Sequence, residues 1–325
     1  MPAQAPHSVV MIRPHRFTPN PHTAADNAFQ VAAKGDPDDL AQAAFEEVTR
    51  AAAALEAAGV TVHLFDDEEA TRPDSVFPNN WFSTHAGGRV ALYPMYSPSR
   101  RTERRPDIVE LLKARYRVQD VIDYSGLEYD NIFLEGTGAM VLDHHSRVAY
   151  TARSRRADPM VLERFCTAFG YEPMAFDAAD QNATPVYHTN VLMCIASGFV
   201  LIGLSMITDP ARRAEVAERL SGRRGQRPVL ELTAEQIHDF AGNAIELEGD
   251  GGQRFLALST RAAASLTDEQ RAVIERTCTL LPLEVPTIEL AGGSVRCMLA
   301  GVHLDPRPLT GSQAVAVPQT AAAVC

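Results

Sequence analysis

Short apolar runs alternate with stretches of helical period along most of the chain. Helical spacing is read over Pro37–Ala58, Arg105–Tyr116, Pro159–Phe169, Pro210–Ser221 and Asp268–Thr277. The first carries a plain start signal in Asp36-Pro37-Asp38, which combines a cap, an early proline and acidic groups at the positive end of the helix dipole. Its apolar face uses Leu40, Phe45, Val48 and Leu55, and Gly59 stops it. Strands are expected at Ser8–Ile12, Val60–Phe65, Trp81–Thr84, Val90–Pro94, Val118–Tyr124, Ile132–Leu134 and Ala139–Leu142. Further strands are expected at Val148–Thr151, Glu172–Phe176, Val191–Ala196, Phe199–Leu204, Val229–Leu232, Phe255–Ser259 and Val295–Val302.

The helices recur about every 50 to 60 residues, each with strands around it, and the units share no obvious sequence identity. Such α/β modules can close into a ring, which removes exposed sheet edges. An open doubly wound sheet is the rival. It is disfavoured because no G-x-G-x-x-G follows the first strand and strands outnumber helices too heavily. No proline- or serine-rich linker divides the sequence, so residues 1–325 read as one domain of five modules.

With 46% hydrophobic and 22% charged residues, the 325-residue chain has the composition of a soluble globular protein. Thirty Lys and Arg against 41 Asp and Glu give a net charge of −11, which disfavours a nucleic-acid partner. The opening residues show no basic segment followed by a long apolar one, so no signal peptide is read. The most apolar run, Val191–Ile207, is short for a membrane span and has Ser197-Gly198 in its middle, so a buried hairpin is expected. The five cysteines, at 166, 194, 278, 297 and 325, form no close pair, which points to free thiols and a reducing cytoplasm.

Four stretches put reactive residue types into strand-like runs: Asp74–Trp81, Leu134–Gly138, Tyr187–Asn190 and Gly292–Cys297. Together they offer a thiol nucleophile, an imidazole acid/base and a carboxylate to orient it. Each alone has an ordinary structural reading, Cys297 as a small buried hydrophobe, His188 as a satisfied core histidine and Glu135 as a turn residue. Asp143-His144-His145-Ser146 reads as a solvated hairpin turn, since adjacent histidines do not easily face one ion. The Arg100, Arg101, Arg104 and Arg105 cluster reads as an exposed helix start plus one substrate-binding Arg.

The ordered motifs PDSVFPNNW, SPSRR, LEGTG, SRRAD, YHTN and GGSVRCM resemble the guanidine-modifying enzymes, which include dimethylarginine dimethylaminohydrolase, arginine deiminase and the amidinotransferases. The subgroup most similar is that of the citrulline-utilisation hydrolases. The resemblance implies an α/β fold, a five-bladed α/β propeller (pentein) with its active site in the central channel. It also implies Cys297 as nucleophile, His188 as acid/base and Glu135 as the group orienting it. Asp74 would meet the substrate amine, and Arg100 and Arg156 its carboxylate. The same fold also serves a non-enzymatic ribosome anti-association factor, so a binding protein is the non-enzyme alternative.

The chain departs from the family pattern where it has Asn79, Asn80 and Asn190, positions at which arginine-type enzymes place carboxylates. A guanidinium offers only donors, whereas a ureido group combines donors with a carbonyl acceptor, and Asn matches both halves. Losing two or three charged hydrogen bonds at ~1.5–3 kcal/mol each weakens guanidinium selection. Citrulline is therefore the expected substrate, with Asn79, Asn80 and Asn190 holding the ureido group and ornithine, carbon dioxide and ammonia as products. Arginine deiminase-like, dimethylarginine hydrolase-like and amidinotransferase activities are the alternatives. Arg296, beside Cys297 on an expected strand, points to the opposite face and is given no role. No metal or organic cofactor is expected, and no membrane partner. A small amino-acid substrate is the expected partner, with homo-oligomerisation left open.

Overall fold

The computed structural model describes residues 3–222 and 225–308. Cys325, read as a thiol of a loose terminus, lies outside them. The strands form five three-stranded sheets with one repeated plan. In the second sheet β3 (Phe82–His85) pairs antiparallel with β4 (Arg89–Leu92), which pairs parallel with β5 (Asp120–Asp123). The third sheet repeats this with β6 (Met140–Asp143), β7 (Val148–Ala152) and β8 (Glu172–Phe176). The fourth uses β9 (Met193–Ile195), β10 (Val200–Ile202) and β11 (Val229–Glu231). The fifth uses β12 (Ile245–Glu248), β13 (Arg254–Ser259) and β14 (Thr279–Leu283). The first sheet is closed by the last strand: β15 (Ala300–Val302) pairs antiparallel with β1 (Ser8–Pro14), itself parallel to β2 (Thr61–Asp67).

This is a five-bladed α/β propeller, as expected. Each parallel pair needs a crossover, and a helix supplies it. These helices are α1 (Pro37–Ala57), α2 (Pro106–Arg115), α3 (Pro159–Phe169), α4 (Pro210–Leu220) and α5 (Asp268–Ile274), close to the expected bounds. Asp36 accepts from the Asp38 N–H at the start of α1, and Gly59 follows its end at φ +81°. Ala44, Val48, Ala51 and Leu55 form its buried face, packed in one cluster with Val9, Met11, Leu247 and Leu283. No helix among the described residues is long and apolar enough to cross a membrane. The Val191–Ile207 run does contain the expected hairpin, β9 and β10.

Several expectations need correction. Val295–Val302 is not one strand: Val295–Met298 is a helical turn and only Ala300–Val302 is extended. Val191–Ala196 likewise begins as a helical turn, Thr189–Leu192. Ile132–Leu134 makes no strand, only a bridge from Leu134 to Ala157. The strands β12 and β14 were missed; the buried Glu246 in β12 and Pro282 in β14 break the apolar pattern. The Asp143–Ser146 turn exists, yet Asp143 and His144 are buried, because Asp143 pairs with Arg227 and His144 bonds to Tyr171.

Ring closure also rests on one buried carboxylate. Glu47 of α1 accepts from the N–H groups of Thr287, at 2.9 and 3.0 Å, and of Ile288, at 3.1 Å. These open the Pro286–Glu289 helical turn ahead of β15, so the first and last modules share a cap. Glu47→Ala strands both donors and should cost about 2–3 kcal/mol in urea unfolding, with Glu47→Gln recovering part of it. A loss below about 0.5 kcal/mol would remove Glu47 from ring closure.

Candidate active site

The innermost strands β3, β6, β9, β12 and β15 all begin at one mouth of the channel, and a tight turn precedes each. Helical turns at Pro78–Asn80, Gly136–Ala139, Thr189–Leu192 and Val295–Met298 lead into β3, β6, β9 and β15. A turn closed by the Asn243 N–H on the Phe240 carbonyl leads into β12. These turns deliver Asn80, Glu135, His188 with Asn190, Cys297 and Asn243 to the same end. Side chains meet here because each turn reverses the backbone just before its strand. Gly138 makes room for the meeting: a Cβ there would run into Asn80 Nδ2 and lie 2.9 Å from His188 Nδ1.

His188 and Glu135 form the expected pair, with Nε2 2.8 Å from Oε2 and both side chains buried. Burial would raise the Glu135 carboxyl, but Arg156, the His188 hydrogen bond and Arg100 overcome it and hold it down at about 2. Burial also disfavours a charged imidazole and, despite Glu135, brings His188 down to about 4. The ring is therefore neutral at neutral pH and able to take a proton.

Cys297 Sγ accepts hydrogen bonds from Asn190 Nδ2 and Asn243 Nδ2, each at 3.2 Å. The second N–H of Asn243 donates to the Asn190 carbonyl at 2.9 Å, which fixes the amide with its nitrogen toward the sulfur. The two amides fix the position of the sulfur from either side. The Oδ1 atoms of Asn190 and Asn243 are buried without a partner among the described residues.

Cys297, His188, Asp74, Asn80, Arg100 and Arg156 line one cavity of about 10 Å³, room for roughly one water. Segment 15–35 roofs it. Asn20 Nδ2 donates to Asp74 at 2.8 Å, the Asp26 carboxylate holds Arg156 at 2.5 and 3.3 Å, and Asn27 Nδ2 donates to the Ala291 carbonyl at 3.1 Å. Tyr187 adds a ring 4.9 Å from the Arg156 guanidinium.

Three expected substrate contacts are placed differently. Asn190 does not line the cavity; its Nδ2 donates to Cys297 Sγ. Asn79 is fully buried behind Asn80, its Oδ1 accepting from Asn80 Nδ2 at 3.1 Å, so it positions that amide and does not line the cavity. Arg100 lines the cavity, but its donors are committed. Its Nε and Nη2 fork onto Glu103 at 2.9–3.2 Å, its Nη1 reaches Asn80 Oδ1 at 2.8 Å, and Asp74 and Glu135 lie at 3.6 Å. Burial works against its charge, yet Glu103, Asp74 and Glu135 outweigh burial and raise its pKa. Arg100 is not part of an exposed helix start, whereas Arg101 and Arg104 reach Glu128 and Arg105 holds Asp107.

Sequence reasoning missed Asn243, Glu103, Asn20, Asp26 and Asn27. Asn243 had a signal: it is a polar residue just ahead of an apolar-facing strand, the position His188 and Asn190 occupy ahead of β9. The missed β12 hid it. Among the described residues no group of His, Cys, Asp and Glu is arranged to hold a metal.

A family model described as "N,N dimethylarginine dimethylhydrolase, eukaryotic" matches residues 13–304. The chain belongs to this family. It thereby falls in the guanidine-modifying pentein superfamily. Solved structures agree on the fold. The N-terminal domain of ArgZ, an arginine dihydrolase from the ornithine–ammonia cycle in cyanobacteria, superposes with a TM-score of 0.69 at 15% identity, covering 91% of this chain and 97% of that one. Unliganded AgrE gives 0.70 at 17% identity over 93% of this chain, which spans only 40% of AgrE. A dimethylarginine dimethylaminohydrolase adduct with 4-chloro-2-hydroxymethylpyridine gives 0.61 at 13% identity, covering 93% and 100%. No curated protein sequence matches the chain.

Two outcomes test this site. Asn243→Ala should slow iodoacetamide alkylation of Cys297 at neutral pH by about tenfold, with Asn243→Gln restoring part of the effect. An unchanged rate would make Asn243 a packing residue. The second concerns pH. Unfolded His188 takes its proton near 6.5 while the folded ring resists to about 4, so folding loses stability as pH falls through that window and is flat above it. His188→Gln should remove about 1–3 kcal/mol of that acid-side loss in urea titrations; an unchanged slope would show that His188 is not held neutral.

Proposed function

We propose that the protein is a cysteine-dependent hydrolase of the terminal C–N bond of a small amino acid, acting on citrulline in preference to arginine. Family membership and the Cys297, His188 and Glu135 geometry support the hydrolase reading. The charge of the cavity carries the choice of substrate. Among the described residues its charged lining is one carboxylate, Asp74, against two guanidinium groups, Arg100 and Arg156. A cationic guanidinium finds one carboxylate there, already bonded to Asn20 and beside Arg100. A neutral ureido group finds amides. These are Asn80 and Asn27 in the lining, with Asn190 and Asn243 bonded to the Cys297 sulfur, and Arg156 suits the α-carboxylate.

In the reaction the Cys297 thiolate attacks the ureido carbon, and the resulting oxyanion collapses with loss of the ornithine amine. His188 supplies the proton that the leaving nitrogen needs, having taken it from the Cys297 thiol. The carbamoyl thioester left on Cys297 is then hydrolysed by a water that His188 deprotonates, giving back the thiol and releasing carbamate, which falls to carbon dioxide and ammonia. Glu135 keeps Nε2 of His188 engaged, so Nδ1 is the nitrogen free to shuttle protons. Arg100 acts here through Asn80, Asp74 and Glu135, holding three groups of the cavity at once.

The second reading is hydrolysis of arginine or a methylated arginine, favoured by the family model and by the binary complex of an AgrE mutant with L-arginine. Both readings use the same thiol and imidazole. Pure protein incubated with citrulline, arginine, agmatine and methylated arginines should release ornithine and ammonia from citrulline fastest. Cys297→Ser should lower that rate at least about 10³-fold. Asn80→Asp should shift the ratio of kcat/KM toward arginine by about tenfold or more. Wild-type protein that turns over arginine well and leaves citrulline untouched would sink the ureido reading and keep the hydrolase.

A further inference from the structure

The channel has a second mouth, where the innermost strands end, and the catalytic chemistry leaves it unused. His85 closes β3, His144 follows β6 and His303 follows β15, so three modules bring histidines to one place. With Arg296, Glu246, Cys194 and Gln4 they line a cavity of about 40 Å³, space for roughly three waters. Gln4 caps it, donating to the Leu142 and Ile195 carbonyls at 3.0 Å each and accepting from the His144 N–H at 2.9 Å.

The helical turn Val295–Met298 explains how Arg296 reaches this cavity. Residues adjacent on a helical turn point about 100° apart, so Cys297 faces one mouth and Arg296 the other. The two side chains do separate as expected, through a helical turn and not through strand alternation. Arg296 donates to the Leu299 carbonyl at 3.2 Å, and no carboxylate among the described residues lies within ion-pair distance of it. Glu246, the one acidic residue lining the cavity among the described residues, is spent elsewhere: it accepts from Ser197 N–H and Oγ at 2.7 Å and pairs with Arg254 at 3.2 Å. A guanidinium turned into an internal cavity without a counter-charge is costly.

The histidines add donors and no negative charge. The His144 and His303 rings stack at 4.1 Å between centroids. Tyr171 Oη meets His144 Nδ1 at 2.8 Å. His85 Nε2 meets Ser83 Oγ at 2.7 Å, while its Nδ1 is buried without a partner among the described residues.

We infer that this far cavity, built on Arg296, His144 and His303, is a binding site for a small monovalent anion, a halide or bicarbonate. The anion neutralises Arg296 and takes imidazole N–H donors, and the enclosed volume excludes larger carboxylates. The site is independent of the proposed hydrolysis, since it requires nothing of Cys297.

Two measurements on the full chain test it. Wild-type crystals soaked in bromide should show an anomalous peak between Arg296, His144 and His303. In solution at constant ionic strength, replacing gluconate by chloride or by bicarbonate should raise Tm saturably, by about 2 °C at ten times Kd. The anion acting at lower concentration is the occupant. Arg296→Met should abolish the dependence. If that variant does not fold, the bromide peak decides. No peak at this place, or equal Tm in all three salts, would overturn the site.

Discussion

The Glu135 carboxylate is the constraint on which the catalytic mouth depends. It is fully buried, and one oxygen serves three bases: His188 at 2.8 Å, Arg100 at 3.6 Å and Arg156 at 3.8 Å. Its other oxygen accepts from the Tyr96 N–H at 3.0 Å. A buried anion is tolerated only where such partners surround it, and removing one costs about 3–5 kcal/mol. The residues that meet Glu135 come from three modules. The same interactions therefore hold the blades at this mouth in one arrangement and set the protonation of the groups there.

Propeller geometry makes this concentration possible. Because every innermost strand starts at the same end, a turn residue in each module can reach the axis without a long loop. The arrangement also divides the channel into two ends of different character. The near end holds two guanidinium groups balanced by Glu135, Asp74, Glu103 and Asp26. The far end holds a guanidinium among neutral imidazoles, and burial lowers all three histidines, His303 to about 4. One sheet architecture supports both because the innermost strands set the two ends apart by their own length, so each end collects its own side chains.

Much of this was legible in the chain. The five crossover helices were readable because caps such as Asp36 and stops such as Gly59 bracket amphipathic spans. The ring followed from their recurrence. The motif residues Glu135, His188, Asn190 and Cys297 do meet at one mouth. Short helical turns were not legible: four residues such as Val295–Met298 or Thr189–Leu192 are too few for helical period to show, and their apolar content reads as strand. Asn243 escaped with β12, since Glu246 on that strand is buried through Ser197, a partner remote in sequence, and through Arg254 of β13. The roles of Asn79 and Arg100 could not be separated from direct binding either. Which face of a motif residue meets the cavity is decided by Glu103 and Asn80, and spacing does not encode that.

The size of the near cavity sets the last requirement. Room for about one water does not admit an amino acid, so binding the proposed substrate would displace part of the lining, to which segment 15–35 gives Thr23 and Asn27. The fastenings of that segment are mostly polar. Asn20 on Asp74, Asp26 on Arg156 and Asn27 on the Ala291 carbonyl are contacts that water or a ligand can replace at little net cost. Phe29 is its apolar anchor, 5.6 Å from the Phe240 ring and 6.2 Å from Tyr187. The chemistry of the fastenings mirrors that of an α-amino acid: Asp26 gives Arg156 a carboxylate, and Asn20 gives Asp74 an N–H donor. A bound amino acid would offer the same two groups to the same two partners. The closed cavity thus keeps its buried charges paired by its own roof when empty, and exchange with substrate leaves neither Arg156 nor Asp74 unpaired.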